Sequence, residues 1–246
     1  MKTSRGRIHH LRGGSGAPIV LLHSNGGSAY DFEAMFARLS RSREVIAWDM
    51  PGQGDSDPLS GHLTVEDYAD AVVELMDGLG IGSADVLGAS IGGAVCASLA
   101  ARHAPRMRQF FIVECPLRSE ADWLSQWPRI EANFSQPVQN RTDVEARVKQ
   151  VSPEFLRRWN IDRCKAGAKT MMSVMWALRE YDAAPDLQLM PARTTVVYGN
   201  RGPAVQSVSR LSSAMNDPRI EIIEDCGHFP MFDAPGRLCD IVEKVG

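Results

Sequence analysis

The sequence is poor in cysteine and contains no CxxC pair. Its five cysteines are scattered and odd in number, so neither a zinc site nor a disulfide framework is expected. We therefore expect reduced thiols and a cytoplasmic setting, and nothing in the sequence implies a metal or an organic cofactor. The cysteines are Cys96, Cys115, Cys164, Cys226 and Cys239.

A large excess of one charge and long hydrophobic runs are also missing. The net charge is -3, which gives no basic footprint for a nucleic acid. No apolar run approaches the roughly 18 residues that would span a membrane. The first ten residues, MKTSRGRIHH, contain no apolar region typical of a signal peptide. The expected partner is therefore a small-molecule substrate, with no nucleic acid and no membrane, and the sequence does not indicate an oligomeric state.

What the sequence does contain is an alternation of short apolar runs with amphipathic segments. A chain of 246 residues with 44% hydrophobic residues suits one large α/β domain, or a domain with an insertion. The alternation predicts a mostly parallel, doubly wound sheet whose functional groups collect at the carboxyl ends of the strands. Strands are predicted at 17–24, 44–52, 84–90, 108–116, 193–200 and 219–228.

An interruption of this alternation runs from residue 117 to residue 190. It holds four of the five tryptophans and looks helical, so we predict a helical cap (117–190) inserted in a core formed by 1–116 and 191–246. The charges of the insertion nearly balance, which indicates no bias toward an anionic substrate. Its apolar side chains either form the wall of a substrate pocket or only pack the insertion onto the sheet. The predicted pocket residues are Trp123, Trp127, Trp159, Met172, Trp176 and Phe229.

The stretch GASIGG (88–93) lies between a predicted strand and a predicted helix and has the pattern G-x-S-x-G. In that context a serine occupies a strained turn that exposes its hydroxyl, so Ser90 is the candidate nucleophile. Gly88 and Gly92 are small enough for the close approach that such a turn requires. The helix N-terminus beside the serine favours developing negative charge. The alternative, a phosphate-binding glycine loop, lacks both the G-x-G-x-x-G spacing and the P-loop lysine.

A serine hydroxyl needs a base to remove its proton, and His228 is the candidate base. It follows the last predicted strand, in the stretch CGHFPMF, and Gly227 gives this loop conformational freedom. The remaining histidines lie in the N-terminal segment, in a polar loop, near a helix end, or directly after a strand. They are His9 and His10, His62, His103, and His23, in that order.

The stretches LLHSNGGS, DMPGQGDS, LGASIGG and CGHFPMF resemble, in order and spacing, those of the serine-nucleophile branch of the α/β-hydrolase fold family. The resemblance covers nearly the whole chain. It implies that 22–28 is the oxyanion loop and that the backbone N–H groups of Asn25 and Ile91 bind the oxyanion. It also implies that 49–56 is a structural turn without a catalytic carboxylate. One departure is Ser24, which stands where the family usually has glycine.

A second departure concerns the acid that should orient the histidine. The family usually places it a few residues after the glycine of stretches such as VVYGNRGP (196–203), where this chain has Gly202. Glu114 matches the place, after the preceding strand, where some branches of the family carry their acid. A buried carboxylate at an apolar strand end needs a partner, and an imidazole is a suitable one. Alternatively, Glu114 is solvated or paired with an arginine, or Ser90 and His228 form a dyad. Weaker candidates for the acid are Asp186, Asp217, Glu224 and Asp225.

These residues predict a serine hydrolase that acts on a small or medium-sized, largely uncharged carboxylic ester through an acyl-enzyme. The resemblance also allows hydrolysis of carbon–carbon bonds in ring-cleavage products, which is the nearest alternative. Further alternatives are a cofactor-free lyase and a ligand-binding protein with a vestigial triad. Serine at position 90 disfavours the dehalogenase and epoxide hydrolase chemistry that uses Asp or Glu nucleophiles.

Overall fold

A central sheet of seven strands organises the computed structural model, which describes residues 1–192 and 194–244. Within these residues the strands are β1 (Lys2–Thr3), β2 (Gly6–Arg7), β3 (His10–Gly13), β4 (Ala17–Leu22), β5 (Arg43–Trp48), β6 (Ala84–Ala89), β7 (Met107–Val113), β8 (Thr195–Gly199) and β9 (Arg219–Ile223). The sheet has the order β3-β5-β4-β6-β7-β8-β9, in which β3 is antiparallel to β5 and the other neighbours are parallel. β1 and β2 form a separate antiparallel hairpin. The predicted mostly parallel sheet is confirmed.

Helices cover both faces of this sheet. Within the described residues they are α1 (Glu33–Leu39), α2 (Val65–Gly78), α3 (Ile91–Arg102), α4 (Glu120–Phe134), α5 (Arg141–Glu145), α6 (Pro153–Glu180), α7 (Ala183–Gln188), α8 (Val208–Ala214), α9 (Pro230–Asp233) and α10 (Pro235–Glu243). Successive side chains of a strand point to opposite faces. Accordingly, Ile19 and Leu21 of β4 pack with α1 and α10, whereas Val20 and Leu22 pack with α2 and α3. The predicted doubly wound arrangement is therefore confirmed.

The predicted strands overlap β4 to β9, but the sequence did not reveal β1, β2 and β3. β1 and β2 have only two residues each, and every residue of β3 is half-buried or exposed, so none of the three forms an apolar run. One residue of the predicted strand 193–200, Arg193, lies outside the described residues.

Residues 117–190, which the structure describes completely, contain α4, α5, α6 and α7 and no strand. α6 is kinked at Gly167, whose φ of 70° is not helical. The side chains that cap these helices accept hydrogen bonds from backbone N–H groups of the first turn, which fixes where each helix begins. They are Ser119, Asn140, Ser152 and Asp182. Among the described helices, none is both long enough and apolar enough to cross a bilayer.

The carboxyl ends of β6, β7, β8 and β9 lie side by side because these strands are parallel neighbours. Ser90 follows β6, Glu114 follows β7, Gly199 ends β8, and His228 lies beyond β9. The fold therefore brings four positions that are distant in sequence to one edge of the sheet.

Candidate active site

Ser90 lies in a tight turn between β6 and α3. Its backbone has φ 55° and ψ -112°, a strained conformation for a residue with a Cβ. The Ser90 N–H donates a hydrogen bond to the Val113 carbonyl (2.8 Å), which holds the turn against the neighbouring strand. A Cβ at Gly92 would lie 2.9 Å from the Leu22 carbonyl oxygen, and a Cβ at Gly88 would collide with the Gly92 carbonyl. The turn therefore needs glycine on both sides of the serine.

The imidazole of His228 and the carboxylate of Glu114 form a pair below the surface. Nδ1 of His228 is 2.8 Å from Oε2 of Glu114, whose side chain is only 1% exposed. The second carboxylate oxygen, Oε1, accepts the Gly199 N–H at 2.5 Å. A carboxylate accepts hydrogen bonds, so we assign the ring proton to Nδ1, which leaves Nε2 as the nitrogen that can accept a proton.

The backbone at Glu114 directs its side chain toward this pair. Glu114 has φ 52°, in the left-handed backbone region that residues other than glycine rarely adopt. Its N–H donates a hydrogen bond to the Val197 carbonyl at 2.9 Å. This conformation turns the chain as it leaves β7. Such strain at a strand end is typical of functional positions.

Gly202 lies against the same carboxylate. A Cβ at this position would be 2.7 Å from both Oε1 and Oε2 of Glu114. The Gly202 N–H closes a turn onto the Gly199 carbonyl at 3.0 Å. The Glu114 carboxylate thus occupies the space into which a side chain at position 202 would project. The stretch VVYGNRGP has no carboxylate there, and the neighbouring strand supplies one to the same place.

The weaker candidates for the acid lie elsewhere. Asp217, Glu224 and Asp225 are exposed, and Asp186 accepts the Tyr181 hydroxyl at 2.5 Å. Among the described residues, Glu114 alone forms an ion pair with the His228 ring. The structure therefore pairs His228 with Glu114 and not with any of these weaker candidates.

The loop after β4 brings Ser24 and Asn25 to a cavity that Ser90 and His228 also line. The Asn25 side chain donates to the carbonyl of Met171 in α6 at 2.9 Å, so this loop contacts the helical segment directly. Ile91 is the first residue of α3, and the N–H of a first helical residue has no acceptor within its own helix.

His23, directly before this loop, is fully buried and uses both ring nitrogens. Its Nε2 accepts the Met50 N–H at 2.8 Å, and its Nδ1 donates to the Ser24 carbonyl at 2.7 Å. Burial lowers the pKa of His23 below the usual value for histidine, so its ring stays neutral. These contacts make His23 a structural residue of the loop.

A cavity of about 730 Å³ opens beside Ser90, within the size range of small-molecule sites. Of the six residues predicted to line a pocket, Phe229 belongs to its lining. The structure corrects the other five positions, because these side chains lie outside the lining of this cavity. They are Trp123, Trp127, Trp159, Met172 and Trp176.

The tryptophans lie outside the lining because they pack against other aromatic rings. The ring of Trp127 lies between those of Trp123 and Trp176, with centroid distances of 6.2 and 4.5 Å. Trp159 packs edge-on against Phe229 at 5.1 Å and so lies one layer behind the cavity. Aromatic edge-to-face packing of this kind stabilises the helical segment.

The cavity is more cationic than the composition of residues 117–190 predicts. Its lining includes four arginines and only two aspartates, although the chain has a net charge of -3. A count of charges along residues 117–190 predicts no bias toward an anionic substrate. Folding nevertheless gathers arginines at the cavity, which a count along the chain does not reveal. The charged residues are Arg118, Asp122, Arg129, Asp143, Arg147 and Arg210.

A possible metal-binding group lies outside this cavity. Ligand atoms of His9, Asp49 and Asp55 lie within 4.8 Å of one another. Asp49 already accepts the N–H groups of Ala29 (2.6 Å) and Asp55 (2.7 Å), and Asp55 pairs with Lys165 at 2.6 Å. These contacts occupy the carboxylates and hold the turn after β5 in place.

The sequence of this chain is similar to those of known hydrolases. The model of a family described as the alpha/beta hydrolase family matches residues 19–241. The chain is 24% identical over 248 residues to 2-hydroxymuconate semialdehyde hydrolase of Pseudomonas putida, which covers 94% of this chain and 87% of that protein.

Two solved structures share the fold. An esterase from Exiguobacterium antarcticum has a TM-score of 0.87 at 19% identity, covering 98% of this chain and 95% of that one. A meta-cleavage product hydrolase has a TM-score of 0.85 at 20% identity, covering 99% of this chain and 96% of that one.

Proposed function

Because the chain belongs to the alpha/beta hydrolase family, we propose that it is a serine hydrolase that cleaves a small or medium-sized carboxylic ester through an acyl-enzyme. The observation that carries the proposal is the Glu114–His228 pair, 2.8 Å apart, on a cavity that Ser90 also lines. A serine becomes nucleophilic when a base takes its proton and a third group orients that base.

In the proposed reaction, Ser90 Oγ attacks the acyl carbon while Nε2 of His228 takes the hydroxyl proton. Glu114 holds the Nδ1–H and stabilises the imidazolium that forms. The N–H groups of Asn25 and Ile91 donate to the oxyanion, a contribution of typically about 3 kcal/mol per donor. His228 then gives its proton to the leaving alcohol. It next takes a proton from the water that attacks the acyl-enzyme and gives this proton to Ser90 Oγ as the carboxylic acid product leaves, which regenerates the serine.

Hydrolysis of a carbon–carbon bond is the second candidate function. It is supported by the similarity to 2-hydroxymuconate semialdehyde hydrolase, which covers 94% of this chain. A ligand-binding protein is less well supported, because binding alone does not require a strained Ser90 or a buried carboxylate–imidazole pair.

A fluorophosphonate probe together with p-nitrophenyl butyrate tests the proposal. We expect the wild type to hydrolyse the ester and to become labelled at Ser90, because such probes react with a base-activated serine. His228→Gln should label about 10²–10⁴-fold more slowly, the usual contribution of a general base. Ser98→Ala, which removes a buried hydroxyl from the same helix α3, is the matched control and should label like the wild type. A wild type that neither labels nor hydrolyses the ester would refute the proposal.

Gly202→Ala tests the position of the acid without removing it. The added Cβ would lie 2.7 Å from both oxygens of Glu114, so the carboxylate must move relative to His228. We expect kcat for p-nitrophenyl butyrate to fall by about 10²-fold, because a displacement of about 1 Å can have an effect of that size. Gly82→Ala, whose Cβ meets nothing within 4 Å, is the control and should keep the wild-type rate. Equal rates in both variants would show that Glu114 need not occupy this place.

A further inference from the structure

The cavity beside Ser90 contains arginines without anionic partners. Arg210 pairs with Asp122 at 2.6 Å, which neutralises one of the four cations. Arg118 and Arg147 instead donate to neutral amide oxygens, and among the described residues neither of them forms an ion pair. The cavity therefore holds two guanidinium groups that no carboxylate of the described residues contacts, although Asp122 and Asp143 of the same lining act on them at longer range.

Arg147 lies directly beside the loop of His228. Its backbone carbonyl accepts the His228 N–H at 2.9 Å, and its guanidinium carbon lies 5.1 Å from the ring centroid of Trp159. Nη2 donates to Oε1 of Gln139 at 2.5 Å. Burial, together with the nearby charge of Arg163, lowers the pKa of Arg147 to about 10.

Arg118 is in a similar situation at the start of the helical segment. Its Nε donates to Gln126 Oε1 at 3.0 Å, and its guanidinium lies 4.8 Å from the ring centroid of Trp123. Its Nη1 is buried and has no hydrogen-bond partner within the described residues. Burial lowers the pKa of Arg118 as well.

We propose that the substrate carries a carboxylate in addition to its scissile bond, and that Arg147 and Arg118 bind this carboxylate in the cavity. The inference rests on the proposed function of the same site and adds a class of substrate to it. A partly buried guanidinium without an anion is unfavourable, whereas a charge-assisted hydrogen bond to a bound carboxylate compensates it.

A carboxylate suits the remaining donors of Arg147. Gln139 takes one of the two N–H groups of Nη2, and the second Nη2 N–H together with a neighbouring guanidinium N–H can form the parallel pair of hydrogen bonds that a planar carboxylate accepts. Because Arg147 also binds the His228 backbone, a substrate anion held by its side chain lies next to the loop of the proposed base.

Binding of two matched esters to Ser90→Ala tests this inference without turnover. Monomethyl glutarate has a carboxylate where methyl valerate has a methyl group, and the two molecules are otherwise alike. By calorimetry or ligand-observed NMR, we expect monomethyl glutarate to bind about 10- to 100-fold more tightly, the range for hydrogen bonds to charged groups. Arg147→Gln in the same background should remove most of this preference, and Arg118→Gln should reduce it.

Arg141→Gln is the matched control. Arg141 also lies in the helical segment (117–190), but it pairs with Glu145 on the surface and does not line the cavity. It should retain the preference. Equal binding of the two esters, or a preference that survives the loss of both Arg147 and Arg118, would overturn the inference.

Fluorophosphonate labelling of the wild type separates a failure of this inference from a failure of the proposed function. Labelling without a carboxylate preference refutes only the inference, and a carboxylate preference without labelling or ester hydrolysis refutes only the proposed function.

Discussion

Ser90→Ala is expected to lower kcat for p-nitrophenyl butyrate by about 10⁶-fold, the size of effect seen when a catalytic serine is removed from a triad. The substitution deletes the nucleophile but keeps the donors and the cavity, so substrate still binds. Alanine accepts the backbone conformation of the turn between β6 and α3 about as well as serine does, because both have a Cβ and the flanking Gly88 and Gly92 are unchanged. We therefore expect an unchanged fold by circular dichroism and an unchanged unfolding midpoint in urea.

The control for this experiment is Ser98→Ala, which removes a buried hydroxyl eight residues further along α3. It should retain the wild-type kcat. If Ser90→Ala kept more than about a hundredth of the wild-type rate, the residual catalysis would exceed what binding and oxyanion stabilisation give by themselves. The acyl-enzyme mechanism would then be untenable.

Most of the sheet could be predicted because β4 to β8 are largely buried. Buried strands of a parallel sheet read as nearly continuous apolar runs, which stand out from the helical patterns between them. β9 was predicted as well, although most of its residues are exposed or half-buried. The N-terminal strands could not be predicted in this way. These strands are short, and their residues are half-buried or exposed. β3 is held at the edge of the sheet by its antiparallel pairing with β5. Pairing of this kind depends on the folded partner and leaves no periodic pattern in the sequence.

The three residues of the candidate triad could be predicted from the sequence to different degrees. The pattern G-x-S-x-G points to Ser90 locally, and chain order points to His228. Glu114 is a candidate because the usual position is Gly202 and because some branches of the family carry their acid where Glu114 lies, but the sequence alone leaves a dyad and other carboxylates open. Its contact with His228 follows from the parallel order β7-β8-β9, which places Glu114, Gly202 and His228 at the same end of the sheet.

The pocket was predicted less well because it depends on which helix faces pack together. Aromatic residues of 117–190 were expected at the cavity, but Trp127 and Trp176 pack against each other instead. The arginines could not be foreseen either. Arg118, Arg147 and Arg210 are far apart in sequence and come to line one cavity only when the chain folds.

Two contacts link the helical segment to the candidate catalytic loops. The Asn25 side chain donates to the Met171 carbonyl, and the His228 N–H donates to the Arg147 carbonyl, each at 2.9 Å. Both proposed parts of the machinery, the oxyanion loop and the base, are therefore positioned partly by residues outside the sheet. Substitutions in the segment can consequently alter the rate of the reaction as well as the choice of substrate.

Glu114→Gln is expected to lower kcat for p-nitrophenyl butyrate by about 10⁴-fold, the effect of replacing the acid of a triad by its amide. The amide has nearly the shape of the carboxylate, and its oxygen can still accept the Gly199 N–H. Its NH₂ group would face Nδ1 of His228 and donate to it. The ring would then carry its proton on Nε2, where it cannot take the proton of Ser90.

Glu224→Gln is the matched control, because Glu224 is an exposed acid just after β9 and does not contact His228. It should keep the wild-type rate. A rescue variant makes the test sharper: Glu114→Gly combined with Gly202→Asp moves the carboxylate to the adjacent strand end. Glycine suits the left-handed φ of 52° at position 114, and it vacates the space that a side chain at position 202 needs. We expect the double variant to be at least about tenfold faster than Glu114→Gly alone, because proper orientation of the base is restored. Full activity of Glu114→Gln would instead mean that Ser90 and His228 work without this carboxylate.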